Sequence, residues 1–387
     1  IGPDTEPFSV TGSSTAGADK EYPSVAALIA SSGNTGYNNL YISSYYAITY
    51  PSTAGPKGGF YAHRTGGTNS SPTVGSDPGT SAIGTGTQAG YFWDSDGTEF
   101  QISWHLYEHV DPYKLGAKGG GSFDDTTAIQ DTFNAAPSDS VIYIPADDFK
   151  TTSTVVAPND CDLIMDGLIL YYGAETSGAL VVGDNASSIV RKKLVLKVWN
   201  KEQVVGSWTD TDHVGIKIWH ANTCEIHIRQ SVGFTHGVEF QSVDGIGSAY
   251  NQVYLGIIYN CKKKVRLVGN TTGWCNENKF YGGRFAVDAS ANASIDRLGI
   301  EIISEDDTYY HNSNVFYGFS CELSFAGTNT GTLADIQHGI ENQFIGYRNE
   351  SNDSPEIIVR NDSRDNVFKS SFGSVNIDEQ GTLNNKF

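Results

Sequence analysis

The sequence predicts an all-β protein: a parallel β-helix entered through a capping helix and preceded by a small α+β module. Three observations predict it. A short motif recurs, starting at Cys224, Asn251, Asn278, Asn314, Asn342 and Asn366, at intervals of 27, 27, 36, 28 and 24 residues. Each copy places an apolar residue two positions on (Ile226, Val253, Phe280, Phe316, Phe344, Phe368) and then alternates, the period of a strand with one buried face. A second strand-like element falls between copies, as in Gly215-Ile-Lys-Ile, Gly237-Val-Glu-Phe, Lys264-Val-Arg-Leu and Gly299-Ile-Glu-Ile, and no amphipathic helix separates them. Strands recurring this way without crossover helices have to stack in parallel, about 4.8 Å apart, coil upon coil. Five Asn then stand in a column, where stacked amides bond one another and the backbone of the turn. Cys224 takes the Asn place in the first of these coils.

Bulk properties narrow the partners. With 44 Asp and Glu against 25 Lys and Arg, the net charge of -19 argues against nucleic acid and against an anionic membrane surface. An acidic glycan is repelled too, unless basic residues converge locally. The five scattered cysteines read as buried reduced thiols, and no Cys–His spacing suits zinc. No metal and no cofactor is expected. No apolar run reaches the roughly 20 residues of a membrane span, no signal peptide is visible, and the missing Met marks residue 1 as a processed or truncated end.

In chain order, residues 1–20 read as a flexible arm, 21–110 as the α+β module and 111–387 as the β-helix. Tyr22–Ala30 suggests a short helix capped by Ser24, followed by β runs at 41–48, 59–63, 89–93 and 100–104. Residues 65–87 hold almost nothing apolar and read as a long exposed loop. At 114–130 a Gly-rich turn runs into a helix whose apolar face is Ala128, Ile129, Phe133 and Ala135. Asp124, Asp125 or Thr127 can cap it, Thr127 and Gln130 having capping-box spacing. A phosphate-binding loop is set aside, since there is no GKS/T and no βαβ context. The helix instead covers the open first coil, whose strand 140–144 ends at Pro145. Coils continue at 151–157, 161–171, 179–183 and 192–200, and 163–170 is the most apolar stretch. Excursions at Val204–Val214 (with Trp208, Asp210, Asp212 and His213), Asp288–Arg297, Glu305–Asn312 and Phe325–Ile336 read as the walls of a groove.

The stretch Leu115-Gly-Ala-Lys-Gly-Gly-Gly-Ser-Phe-Asp-Asp-Thr-Thr-Ala-Ile-Gln, with Ala135-Ala-Pro and Val141-Ile-Tyr-Ile-Pro, resembles the opening motif of the pectate-lyase-like right-handed β-helix superfamily. The version it resembles is the one typical of phage tailspikes, roughly FGAKGDGxxDDTxAIQ. Gly120 stands where the family usually has Asp. The module before it, with Val25-Ala-Ala-Leu and Trp104, is similar to the small domain that often precedes such β-helices. The resemblance implies a right-handed, single-stranded β-helix in a homotrimer. It also implies a virion location on the phage tail or baseplate, reached through the N-terminal region, and recognition of a bacterial surface polysaccharide (capsule or O-antigen). The trimer-clamping domain often found at the end of tailspikes is expected to be absent or much reduced, since only one strand and a polar tail follow Asn366.

Two outward columns carry candidate chemistry. His227, Tyr254, Tyr281 and Tyr317 follow one another in successive coils, suiting sugar rings, or else forming a cross-strand ladder or a subunit interface. Lys217, Glu239, Arg266 and Glu301 alternate in sign, which reads first as a structural ion-pair ladder and otherwise places a catalytic carboxylate. Glycoside hydrolysis needs two carboxyl groups, about 5–5.5 Å apart for retention or about 6.5–9.5 Å for inversion. Glu225, Glu239 and Glu322 are the leading candidates, followed by Asp210, Asp212, Glu301, Glu305-Asp306-Asp307 and Glu350. Glu225-x-His227-x-Arg229 is the densest polar trio. Substrate contacts are expected from His227, Arg229, Tyr254, Arg266, Tyr281 and Tyr317. The expected activity is endo-glycosidic hydrolysis. A polysaccharide lyase, with His227, Tyr254 and Arg266 as base and neutralising group, and a non-catalytic receptor-binding fibre are the alternatives.

Overall fold

A computed structural model describes residues 20–22, 24–42, 60–68, 91–103, 107–174, 176–201, 212–270, 272–288, 296–304, 309–323, 331–350, 356–370, 377–380 and 384–386. The expected arm, most of the 65–87 loop, Trp104, Trp208, Asp210 and the 305–307 acids lie outside them. The chain divides into two compact units, 1–107 and 108–387.

In the first unit, helix α1 (Val25–Ile29) starts at Ser24, whose Oγ accepts from the Ala27 amide at 3.2 Å. A five-stranded sheet has the order β1-β2-β3-β5-β4, with β1 at Lys20–Tyr22, β2 at Asn39–Ile42, β3 at Phe60–Thr68, β4 at Tyr91–Trp93 and β5 at Thr98–Ile102. Leu28, Leu40, Ile42, Phe92 and Phe100 are buried in this unit. Buried Asn34 accepts from the Tyr22 hydroxyl and donates to Asp94 at 2.9 Å, satisfying its polar atoms away from water.

The second unit is a parallel β-helix. Among the described residues a twelve-stranded and a nine-stranded parallel sheet run its length, with four- and two-stranded sheets at the third turn. The register stacks Ile226, Val253, Phe280, Phe316, Phe344 and Phe368. The last four rings pack face to face, with centroids 4.5, 4.9 and 5.2 Å apart. All five cysteines are buried and form no disulfide.

The Asn column is continuous. Nδ2 of Asn251, Asn278, Asn314, Asn342 and Asn366 donates to Oδ1 of the next Asn at 2.8, 3.0, 3.0, 3.2 and 3.1 Å, ending on Asn385, a sixth member that the motif alignment misses. Each Nδ2 also donates to a turn carbonyl (Ala221, Ser248, Cys275, His311, Gly339), and each Oδ1 also accepts the backbone amide of the residue one coil below. The residue before each column position, Thr223, Tyr250, Glu277, Ser313, Glu341, Asp365 and Asn384, has φ of 55–60°. A left-handed non-glycine residue costs roughly 1–2 kcal/mol, so the column holds seven such bends in place.

Helix α2 (Thr126–Ala135) closes the first coil, burying Ala128, Ile129 and Phe133 against its core. Its Gln130 side chain stands in for a neighbouring strand: Oε1 accepts the Val156 amide at 2.8 Å and Nε2 donates to the Val156 carbonyl at 3.0 Å. Those are the edge groups of the nine-stranded sheet, which would otherwise template association. The helix cap differs from the sequence expectation. Asp125 occupies the N-cap position, but its carboxylate turns back onto the Lys118 and Gly119 amides at 2.7 and 3.0 Å. Thr126 at N1 is served by Asp124 at 3.0 Å.

One core group is a strained choice. Lys264 is fully buried, its ammonium donating to the Cys261 and Ala286 carbonyls at 2.8 and 3.0 Å. Burial pulls it from 10.5 down to about 7. Between these values the unfolded chain holds a proton that the folded chain has released, so stability rises with pH through that window and is lowest below it. Lys264→Met is expected to flatten this rise, which urea titrations at pH 7 and pH 10 would measure; an unchanged slope would refute the assignment.

Candidate functional site

The outer surface of the twelve-stranded sheet presents columns set by the register. One runs Lys193, Glu225, Gln252, Lys279, Val315, Gln343; the next runs Val195, His227, Tyr254, Tyr281, Tyr317, Ile345, Lys369. In the second column the rings stack: His227 on Tyr254 at 4.6 Å, Tyr254 on Tyr281 at 5.3 Å, and Tyr281 on Tyr317 at 5.4 Å. The faces of the inner rings therefore lie against one another, and what the column offers outward is ring edges and hydroxyls. The chain then bends at Gly282, Gly318 and Gly346, whose φ of 64–70° suits glycine. Beyond the bend lie Lys197, Gln230, Ile257, Arg284, Ser320 and Arg348.

Four acids on this surface meet a cation. Glu225 accepts from His227 at 2.8 Å and pairs with Lys193 at 3.1 Å; the His227 bond, then Lys193, holds its carboxyl below the usual range. Arg229 reaches Asp166 at 2.8 Å, and Asp166 also accepts the Tyr143 hydroxyl at 2.9 Å. Asp166 and Tyr143 were not singled out from sequence, because 63 residues separate Asp166 from Arg229 and only the winding of coils brings them together. Arg284 pairs with Glu322 at 3.2 Å, and Arg348 with Glu350 at 2.5 Å.

Two of these acids are neighbours. The register Ser320↔Arg348 and Cys321↔Asn349, with the Glu350 amide bonded to the Cys321 carbonyl at 2.8 Å, sets Glu322 and Glu350 at equivalent positions of adjacent coils. Their backbones are thus about one strand spacing apart, roughly 4.8 Å. The chain leaves the described residues just beyond each, at 324–330 and 351–355. Those stretches, with 202–211, 289–295 and 371–376, all fall where the chain passes from the twelve- to the nine-stranded sheet. Glu356, at the end of one of them, has its carboxyl raised by burial, against a hydrogen bond from Asn349.

The nine-stranded sheet carries the second predicted column, and it is buried. Glu239, Arg266 and Glu301 are 2, 6 and 4% exposed. Arg266 bridges the two carboxylates at 2.5 Å each; Lys217 (3.2 Å) and His236 (3.3 Å) complete Glu239, and Lys263 (2.6 Å) completes Glu301. Burial pushes Glu239 up, but His236, Arg266 and Lys217 outweigh it and leave it at about 2. Burial, helped by the nearby Arg266 and Lys263 charges, keeps His236 below its ordinary value against the pull of Glu239. Glu239 and Arg266 thus sit in an ion-pair ladder, on a different sheet from Glu225 and Glu322. Its burial makes the surface-pair magnitude of about 0–1 kcal/mol inapplicable. Among the described residues two shallow cavities lie along this sheet, near the beginnings of its strands. One of about 200 Å³ is lined by Thr154, Ser177, Asp212 and Lys217, and one of about 170 Å³ by Lys263, Asp296, Arg297 and Asp335. Among the described residues no group of three or more His, Cys, Asp or Glu could hold a metal ion.

No protein-family model matches the chain, and no curated protein matches it. Solved structures do resemble it. The enzymatically active domain of bacteriophage CBA120 tailspike protein 2 aligns with 93% of this chain and 56% of its own, at 14% identity and a TM-score of 0.56. Full-length tailspike protein 2 from an Escherichia coli bacteriophage gives the same identity and TM-score over 50% of its length. The gp42 tailspike of an Acinetobacter phage aligns with 95% of this chain and 73% of its own, at 11% identity and a TM-score of 0.52. The chain thus spans about half the length of the first two. What it shares with these phage tailspikes is the fold: a parallel β-helix.

Proposed function

We propose that this chain is the β-helical part of a phage tailspike, that it binds a bacterial surface polysaccharide along the outer surface of its twelve-stranded sheet, and that it cleaves that polysaccharide as an endo-glycosidase. The observation that carries the reading is the carboxylate pair Glu322 and Glu350, at equivalent positions of adjacent coils on the same sheet as the tyrosine column, beyond its glycine bend. Side chains rising from backbones one strand spacing apart can bring two carboxyl groups to the roughly 5–5.5 Å separation of a retaining mechanism. In this reading one is nucleophile and the other acid, then base; Arg284 and Arg348 hold them in place. Glu225, kept ionised by His227 and Lys193, suits binding a hydroxyl rather than donating a proton. Tyr254, Tyr281 and Tyr317 offer hydroxyls and ring edges to successive sugars.

Sizing the products from purified capsule and O-antigen polysaccharides tests this. Glu322→Gln and Glu350→Gln are each expected to lower the rate by about 10²–10⁴-fold with binding retained, and Glu225→Gln to weaken binding. Release of an unsaturated product would establish the lyase instead. Binding without shortening would favour a receptor-binding fibre, a reading that draws on the cation already paired with every surface acid described above.

A further inference from the structure

Resting on that binding surface, we infer that the glycan is acidic, with an anionic group (carboxylate or phosphate) recurring along its chain. The whole protein is strongly acidic, at -19. The outer surface of the twelve-stranded sheet is not. Beside the tyrosine column its ion pairs cancel, and cations are left over. Lys279 and Lys369 are exposed and make no ion pair among the described residues. Lys197 faces an Asp166 already bonded to Arg229, so two cations share one acid.

Their placement follows the tyrosine column. A single strand, Lys279–Ala286, puts Lys279 on one side of Tyr281 and Arg284 beyond the glycine bend on the other. Lys369 stands at the end of the same column, two coils past Tyr317. The nine-stranded sheet shows the contrast: there Lys217, Glu239, Arg266 and Glu301 alternate in register and neutralise one another. Lysines left unpaired along the line of stacked rings, in a protein short of cations, lower the electrostatic cost that the net charge imposes on an anionic ligand. A neutral glycan has no use for them.

The test uses the full chain with purified capsular polysaccharides of three kinds: uronate-containing, phosphate-containing and wholly neutral. Binding confined to the first or second kind is expected, and which of the two binds identifies the anion. For a bound uronate polymer, carboxyl reduction is expected to weaken binding at least tenfold, and the double variant K279Q/K369Q to weaken it by about tenfold. Binding is also expected to fall between about 0.1 M and 1 M salt, as the screening length drops from about 10 Å to about 3 Å. Preference for a neutral polysaccharide, or indifference to carboxyl reduction, overturns the inference while leaving the glycan-binding function standing. A changed oligomeric state in K279Q/K369Q would put this surface in a subunit interface and overturn it as well. Binding to none of the three kinds overturns both.

Discussion

Replacing Asn314 by alanine is expected to destabilise the β-helix by about 3–5 kcal/mol. Asn314 donates to the Cys275 carbonyl at 2.8 Å and to Asn342 at 3.0 Å, and its Oδ1 accepts both the side chain and the backbone amide of Asn278 at 3.0 and 3.2 Å. All these groups are buried. Alanine leaves them without partners, and each unsatisfied buried group costs about 1–3 kcal/mol, partly relieved if a water enters. It also loosens the left-handed bend at Ser313. Denaturant unfolding compares it with Asn385→Ala at the half-exposed end of the column, where under about 1 kcal/mol is expected. Equal losses at the two positions would show that the ladder is decorative.

Arg266→Met is expected to cost about 3 kcal/mol at neutral pH, because it strands two buried carboxylates whose other partners, Lys217, His236 and Lys263, only partly compensate them. Its pH dependence is the sharper readout. In the native protein Glu239 sits at about 2 against an ordinary 4.5. A depressed carboxyl contributes stability that is fully present above 4.5 and lost as pH falls through about 2, since the unfolded chain binds the proton first. Without Arg266 the folded value rises, the contribution disappears, and the variant becomes less sensitive to acid. The stability gap between the two proteins should therefore close as pH falls from 5 toward 3. A gap that stays constant would mean that the methionine acts through packing alone.

Much of the fold was legible because its physics is local and repeated. The alternation around Phe280, Phe316 and Phe344 states which face is buried, and the Asn period states which strands stack. The cap was legible as a helix but not in its bonding. Whether Asp125 serves the helix or the glycine turn depends on which N–H groups the turn leaves unpaired, and that is a three-dimensional count. Asn385-Lys386-Phe387 matches only the first three positions of the motif, too few to show the alternation that marks the other copies.

The candidate site was less legible. Glu322 and Glu350 were both nominated, and their 28-residue separation equals the Asn314–Asn342 interval; the irregular turn between Tyr317 and Ser320 is what leaves open, in the sequence, whether that register persists beyond it. The charge alternation of Lys217, Glu239, Arg266 and Glu301 is visible in the sequence, but its burial is not. By itself the sequence determined the period, the inward face and the amide column, because hydrophobic alternation and side-chain amides act over one strand and one turn. Only the tertiary structure decided which outward side chains are buried, which acids meet, and where unpaired cations collect, because those depend on the side-by-side placement of coils tens of residues apart in the chain.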